Sequence, residues 1–294
     1  MKALFLYSDK SGKNKSLKYH DYIVTRLLTK YDVSSINCLS LEIFEERIIT
    51  AKDKGFDILI IAGGDGTISK AINALAPLKE DKRITLGYIP TGTCNDAGKS
   101  FGIYESIKKA VDIILQGQTI KVDIGKVNNS YFLSMLALGR YSDISYIALQ
   151  KRKRKIGKLS YYFLAIKEAF KPKKVKATII ADGIKYDVVT PFVLIMNSLY
   201  VGGFPVNFSN SLIDGKFDIY LTKPGLFNGL LHFLFFKIKT KHIRSSHLQI
   251  KTDQESPWCV DGEKGMVGDI NVICLPKHIN VFASSFFLTK RKRN

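Results

Sequence analysis

Residues Ile60 to Leu75 read IIAGGDGTISKAINAL. An apolar run ends in Gly63-Gly64-Asp65-Gly66-Thr67, and Ile68, Ala71, Ile72 and Leu75 then recur at helical spacing ahead of Pro77. The pattern predicts a buried strand, a tight turn and a helix that begins near Ile68. Glycines in such a turn permit positive φ and let a backbone approach a ligand closely. The helix start beyond them offers N–H groups and a partial positive charge, a ready phosphate site. Asp65 is the odd member, because a carboxylate repels phosphate unless a divalent cation or a proton transfer lies between them. Taken alone, the stretch reads first as a tight turn with Asp65 as a helix cap. It is not the dinucleotide fingerprint, since Ser69 stands where a third spaced glycine belongs. Nor is it a P-loop, since no Lys-Ser/Thr follows.

Around this stretch the N-terminal third alternates. KALFLYS reads as a strand, Leu17 to Lys30 as a helix, and SLEIFEERIITAKDKG as a second helix closed by Gly55. FDILIIA and RITLGYIP are buried strands, and Ile107, Val111, Ile114 and Leu115 mark a helix closed by Gly117. Strands alternating with helices imply a parallel sheet covered by helices. The rhythm changes near Val122. Asn128-Asn129 separate VDIGKV from SYFLSMLALG, and Asp182-Gly183 separate VKATII from IKYDVV, a strong hairpin signal. FDIYLT, HLQIKT, INVICL and INVFA continue the pattern, with one helix expected at about Leu159 to Phe170. A β-rich second domain is therefore placed from Asp123.

The 294 residues carry 45 Lys and Arg against 26 Asp and Glu, a formal charge of +19, with 46% hydrophobic residues, so a sizeable core can form. The basic residues cluster at Lys151–Lys155, Lys171–Lys176, Lys237–Arg244 and the C-terminal KRKR. Such a surface suits an anionic partner, or simply solubility. MKALFLYSDKSGKNKS does not read as a signal peptide, and no window approaches 18 uninterrupted apolar residues. Cys38, Cys94, Cys259 and Cys274 lack metal-ligand spacing, which reads as a reduced, intracellular protein.

A second glycine turn follows LGYIP. Thr91 to Ile103 read TGTCNDAGKSFGI. Its GKS imitates a P-loop end, but Gly92 is one residue too far and Ala97 occupies the second glycine position. What remains is Gly92-Thr93 with Asn95-Asp96. Two polar glycine turns at the carboxyl ends of consecutive strands face one crevice in an open α/β sheet.

GGDGT followed by PTGTCND resembles the diacylglycerol kinase catalytic-domain family, which includes bacterial lipid kinases and sphingosine kinases. VGGFPVNFSNSLIDGKFDIYLTK and WCVDGEKG resemble two further motifs of that family, so four ordered motifs cover nearly the whole chain. The resemblance implies a Rossmann-like α/β nucleotide domain and a C-terminal β-sandwich with a cleft between them. The boundaries are then 1–122, 123–282 and a segment 283–294 that returns to the first domain. It implies ATP phosphates at Gly63, Gly64, Asp65, Gly66, Thr67, Thr93 and Asn95, and at the first loop, Ser8, Asp9, Lys10, Ser11 and Gly12. Relatives commonly carry Asn-Pro where Ser8 and Asp9 stand here, and a smaller residue at Cys94. Glu263 is implied as the base for the acceptor hydroxyl. Asp65 is implied as an organiser of Mg2+ or of hydrogen bonds, or as the base itself. Asp96 and Asp261 complete an acidic cluster around the metal. Asp214, with carbonyls of Ser211 and Lys216, is implied to hold a structural cation; a plain turn at Asp214-Gly215 is the alternative.

Gly225 to Arg244 read GLFNGLLHFLFFKIKTKHIR; its apolar part, Leu226 to Phe236, has eleven residues, is too short to span a bilayer and is followed at once by basic residues. This suits an element lying on an anionic membrane surface, or equally a core helix with a basic exit. The expectation is an ATP-dependent kinase acting on a lipid alcohol at the cytoplasmic face of the membrane. Diacylglycerol is the default acceptor by resemblance, with a sphingoid base or another lipid alcohol left open, and a homodimer also left open. The rivals are an NAD kinase, which shares GGDG but not the later motifs, and a non-catalytic nucleic-acid-binding regulator. The second lacks zinc-finger spacing and RNP-type aromatics, so no nucleic-acid partner is expected.

Overall fold

In the computed structural model, which describes residues 1–8, 15–104, 106–139, 174–201, 203–205, 212–222 and 240–284, contacts divide the chain into two units. One is Met1–Asp123 with Lys277–Asn294, the other Ile124–Pro276. The first alternates strand and helix. β1 (Lys2–Tyr7) is followed by α1 (Lys15–Lys18), α2 (His20–Leu27), β2 (Asp32–Asn37) and α3 (Leu41–Ile49). Next come β3 (Ile58–Gly63), α4 (Asp65–Leu75), β4 (Thr85–Pro90), α5 (Asp96–Ser100), α6 (Ile107–Gln116) and β5 (Thr119–Val127).

Every residue of β3 is buried, as are Ala3 to Leu6 of β1. Such continuous apolar runs belong to parallel strands covered on both faces. β2, β1, β3 and β4 lie side by side in that order and all parallel. The helices bury one stripe each: Phe44 and Ile48 on α3, Ile68, Ala71, Ile72 and Leu75 on α4, Ala110, Val111 and Ile114 on α6. Their ends carry their own chemistry. Ser40 Oγ accepts the Ile43 N–H and Ser106 Oγ the Lys109 N–H, both at 3.3 Å. Gly117, at φ +78°, closes α6 by donating to the carbonyls of Ile113 and Ile114.

Three features differ from the sequence pattern. The helix expected over Leu17–Lys30 is broken at Tyr19 into α1 and α2. The helix after the glycine turn starts at Asp65, with Gly64 as its cap, because an acidic residue in the first turn complements the helix dipole. β2 was not anticipated: DVSSIN is polar and half exposed, and it is a strand because it pairs residue for residue with β1 at the sheet edge.

The second unit is antiparallel. Its strands are β6 (Ser130–Phe132), β7 (Met135–Gly139), β8 (Val175–Ala181), β9 (Ile184–Thr190), β10 (Phe192–Met196), β11 (Tyr200–Val201), β12 (Phe204–Pro205), β13 (Phe217–Thr222), β14 (Thr240–Ser245), β15 (His247–Thr252), β16 (Cys259–Val260) and β17 (Glu263–Lys264). β18 (Ile270–Phe282) begins here. Its far end belongs to the first unit, where Val281 lies opposite Leu86 of β4 in parallel register. One sheet runs β14-β13-β10-β7-β16-β17, and the other includes β15, β8 and β9. Leu136, Leu138, Val193, Ile195, Phe217 and Ile219 from the first sheet share a core with Val175, Ile179, Leu248, Ile250 and Val272 from the second, around the fully buried Trp258. Both anticipated hairpins form, with Asn128 at φ +49° in one and Asp182 and Gly183 at +45° and +87° in the other.

The single strand read in SYFLSMLALG is two strands of different sheets, β6 and β7, parted at Leu133-Ser134. The end of the basic run, Thr240 to Arg244, is strand β14 paired with β13. The expected helix at 159–170, the basic cluster at 151–155 and residues 225–239 of the expected membrane element lie outside the described residues. Among the described residues, no helix is long and apolar enough to cross a membrane.

Candidate functional site

Gly63 ends β3 and Gly64 caps α4, and Gly92 follows the end of β4, the neighbour of β3 in the sheet. The two turns touch backbone to backbone. A Cβ on Gly92 would lie 2.5 Å from the Gly64 Cα, and one on Gly64 would lie 3.2 Å from the Gly92 Cα. A Cβ on Gly63 would lie 2.2 Å from Thr67 Oγ1. The glycines therefore let one turn pack against the other, and Thr91 N–H donates to Gly63 O across the same seam at 2.9 Å. This places Gly63, Gly64, Gly66 and Thr67 at the start of α4 beside Thr93 and Asn95. Ser8 follows the end of the adjacent strand β1. Asp9, Lys10, Ser11 and Gly12 lie outside the described residues.

Asp65 joins the turns. Its carboxylate accepts the Asn95 N–H at 2.8 Å and the Ala97 N–H at 3.3 Å, so a side chain at the head of α4 caps α5. Burial raises its pKa above the ordinary value, and the amides of Ala97, Asn95 and Asp96 oppose that shift. Asn95 is buried and left-handed at φ +52°. Its Oδ1 accepts the Gly92 N–H at 3.0 Å and its Nδ2 donates to Gly92 O at 3.1 Å, so it braces the second turn from within. Asp96 opens α5, one residue on. Asp65, Asn95 and Asp96, expected as site residues, thus share one local structure.

Sequence reasoning missed Tyr88. It lies on β4 with 1% of its surface exposed, and its hydroxyl is 3.0 Å from Gly63 O and 3.1 Å from Asn95 Oδ1. The available signal was a hydroxyl-tipped aromatic inside the buried strand TLGYIP, since a buried tyrosine needs a polar partner.

The second unit presents Glu263 and Asp261. Asp261 and Gly262, at φ +48° and +89°, form the two-residue turn between β16 and β17, and Glu263 follows with its side chain exposed. The Asp261 carboxylate accepts three successive backbone N–H groups, from Leu133 at 2.8 Å, Ser134 at 2.7 Å and Met135 at 3.0 Å. Those are the contacts of an anchor: they pin the hairpin that carries Glu263 to the start of β7. Among the described residues, no group of three or more His, Cys, Asp or Glu side chains could hold a metal ion.

At the expected structural cation site, Asp214 Oδ1 accepts the Lys216 N–H at 3.1 Å, as in the turn alternative. Its Oδ2 meets Arg244 Nη2 at 2.5 Å. Arg244 Nε also lies 3.4 Å from the fully buried Asp218, which meets His242 Nε2 at 2.5 Å. Arg244 thus pairs with Asp214 from 30 positions away, beside the residues expected to hold a cation. Ser211 is outside the described residues.

The chain thus joins a parallel α/β unit with two abutting glycine turns to an antiparallel unit bearing an acidic hairpin. The family model described as the diacylglycerol kinase catalytic domain matches residues 2–127. The chain is 32% identical over 238 residues to a diacylglycerol kinase of Bacillus subtilis (strain 168), covering 77% of each. It is 29% identical over 294 residues to that of Staphylococcus aureus (strain MRSA252), covering 96% of this chain and 92% of the relative. A crystal structure of a diacylglycerol kinase from Bacillus anthracis str. Sterne superposes with a TM-score of 0.81 at 25% identity, covering 97% of this chain and 98% of that one. Another solved structure from the same organism reaches 0.84 at 26%, with the same coverage. The chain belongs to the diacylglycerol kinase catalytic-domain family.

Proposed function

We propose that the chain is an ATP-dependent lipid kinase that transfers the γ-phosphoryl group to the hydroxyl of a membrane lipid, diacylglycerol in the first instance, giving phosphatidic acid and ADP. The observation that carries this reading is the packing of Gly64 against Gly92, which brings two backbone-lined turns and the start of α4 to one crest of the sheet. Backbone amides at a helix start suit a polyphosphate. Gly63, Gly64, Gly66, Thr67 and Thr93 would cradle it, and Asp65 and Asn95 would hold the two turns in shape.

Glu263 would take the acceptor proton as the lipid oxygen bonds to phosphorus and the bridging oxygen leaves with ADP. An exposed carboxylate on a pinned hairpin suits that task. Asp96, at the head of α5 beside the two turns, would supply an oxygen to a divalent ion. Mg2+, when bound there, would neutralise charge on the phosphates. The net charge of +19 favours an anionic membrane face, so peripheral attachment at the cytoplasmic side fits the reading.

Labelled ATP supplied with a mixed lipid extract tests this. A labelled phospholipid whose mass equals an extracted lipid alcohol plus one phosphate supports the reading. NADP formed from NAD in a parallel reaction, or nucleic-acid binding that persists at physiological salt without ATP turnover, would replace it.

A further inference from the structure

We propose that Tyr88 is a positioning residue for the phosphoryl transfer, its hydroxyl sharing one proton between the two glycine turns and so fixing their spacing; this rests on the kinase reading. Three features of the hydroxyl carry the argument. It reaches both turns at once, Gly63 O on the first at 3.0 Å and Asn95 Oδ1 on the second at 3.1 Å. Both neighbours are acceptors, and a phenol has a single hydrogen to give. Each acceptor already has another donor, Thr91 N–H for Gly63 O at 2.9 Å and Gly92 N–H for Asn95 Oδ1 at 3.0 Å.

The last point separates positioning from stability. Removing the hydroxyl leaves neither acceptor without a donor, so folding loses little. What is lost is a tie from β4 to both turns at their point of contact. The ring is itself held: a Cβ on Gly98 of α5 would lie 2.9 Å from Tyr88 Cε1. Burial and the nearby charges of Asp65 and Asp96 keep the phenol protonated far above its ordinary range, so the donor persists at any working pH.

The test is Tyr88→Phe, read by ATP binding, by the separate KM values for ATP and lipid, and by amide hydrogen exchange over residues 91–97. The expected result is an ATP affinity lower by about three- to ten-fold, the size of one net hydrogen bond. The KM for lipid and the thermal midpoint should stay near wild type, and the amides of Gly92 and Asn95 should exchange faster. Gly98→Ala, which presses on the ring while keeping the hydroxyl, should produce the same loss of ATP affinity. Unchanged exchange at 91–97 in Tyr88→Phe would overturn the tie. Faster exchange with unchanged ATP affinity would overturn its role in positioning. A wild-type protein that binds no ATP would instead remove the kinase reading, and the positioning role with it, while the exchange result still reports on the tie.

Discussion

Asp65 and Asn95 stand 30 positions apart in the chain, and the carboxylate of one accepts the backbone N–H of the other at 2.8 Å. The same carboxylate accepts the Ala97 N–H, so Asp65 sets the geometry of the second turn. In Asp65→Asn one oxygen becomes an amino group that faces an N–H. The expected outcome is a loss of about 1–3 kcal/mol in urea unfolding, together with loss of transfer. Asp96→Asn should stop transfer while the Asp65 carboxylate still accepts the Asn95 and Ala97 N–H groups.

Gly92→Ala should fail for a steric reason. Its Cβ would lie 2.5 Å from the Gly64 Cα and 2.7 Å from Asn95 Oδ1, and backbone cannot yield as a flexible side chain can. ATP binding should fall below detection by calorimetry while the far-ultraviolet circular dichroism of the fold is retained. Gly183→Ala is the control. No atom lies within 4 Å of its added Cβ, and only the cost of φ +87° remains, so ATP binding should be unchanged.

Asp261 collects three backbone N–H groups. Asp261→Ala leaves all three without their acceptor and should lower the unfolding free energy by about 2–4 kcal/mol in denaturant titration. Transfer should fall as the hairpin carrying Glu263 loosens, with ATP affinity retained.

His278 gives a signed pH dependence. Burial, reinforced by the charge of Arg83, lowers its pKa below the usual 6.5, while the hydrogen bond from Nε2 to Ala76 O opposes the shift. The folded state therefore holds a neutral imidazole that the unfolded chain would protonate. Its contribution is complete above the unfolded value of about 6.5 and is lost as pH falls below it. The thermal midpoint should drop between pH 7.5 and 5.5, and His278→Gln should flatten that drop.

Local chemistry made much of this architecture readable. The Asn128-Asn129 and Asp182-Gly183 turns announce their hairpins because the positive φ values they need are a property of those residues. The buried strands and α6 announce themselves by apolar pattern and by Gly117. What stayed hidden depends on partners distant in sequence. β2 is polar and owes its strand to pairing with β1. The break between β6 and β7 is fixed by Asp261, 127 positions beyond Ser134. Asp65 and Asp261 were legible as chemically marked residues, but their anchoring contacts follow from amides brought to them by folding. Tyr88 looked like one more buried aromatic until the two turns met above it. Asp214 was legible as a turn residue, yet its ion pair with Arg244 spans 30 positions and no local motif contains it.

The most direct measurement compares wild type and Glu263→Gln for transfer of label from ATP to lipid. The substitution keeps the size of an exposed side chain and removes its charge and its capacity to take a proton. A fall in rate of about 100-fold or more, with ATP affinity and thermal midpoint unchanged, is the predicted result. A variant that phosphorylates lipid at the wild-type rate would contradict the account.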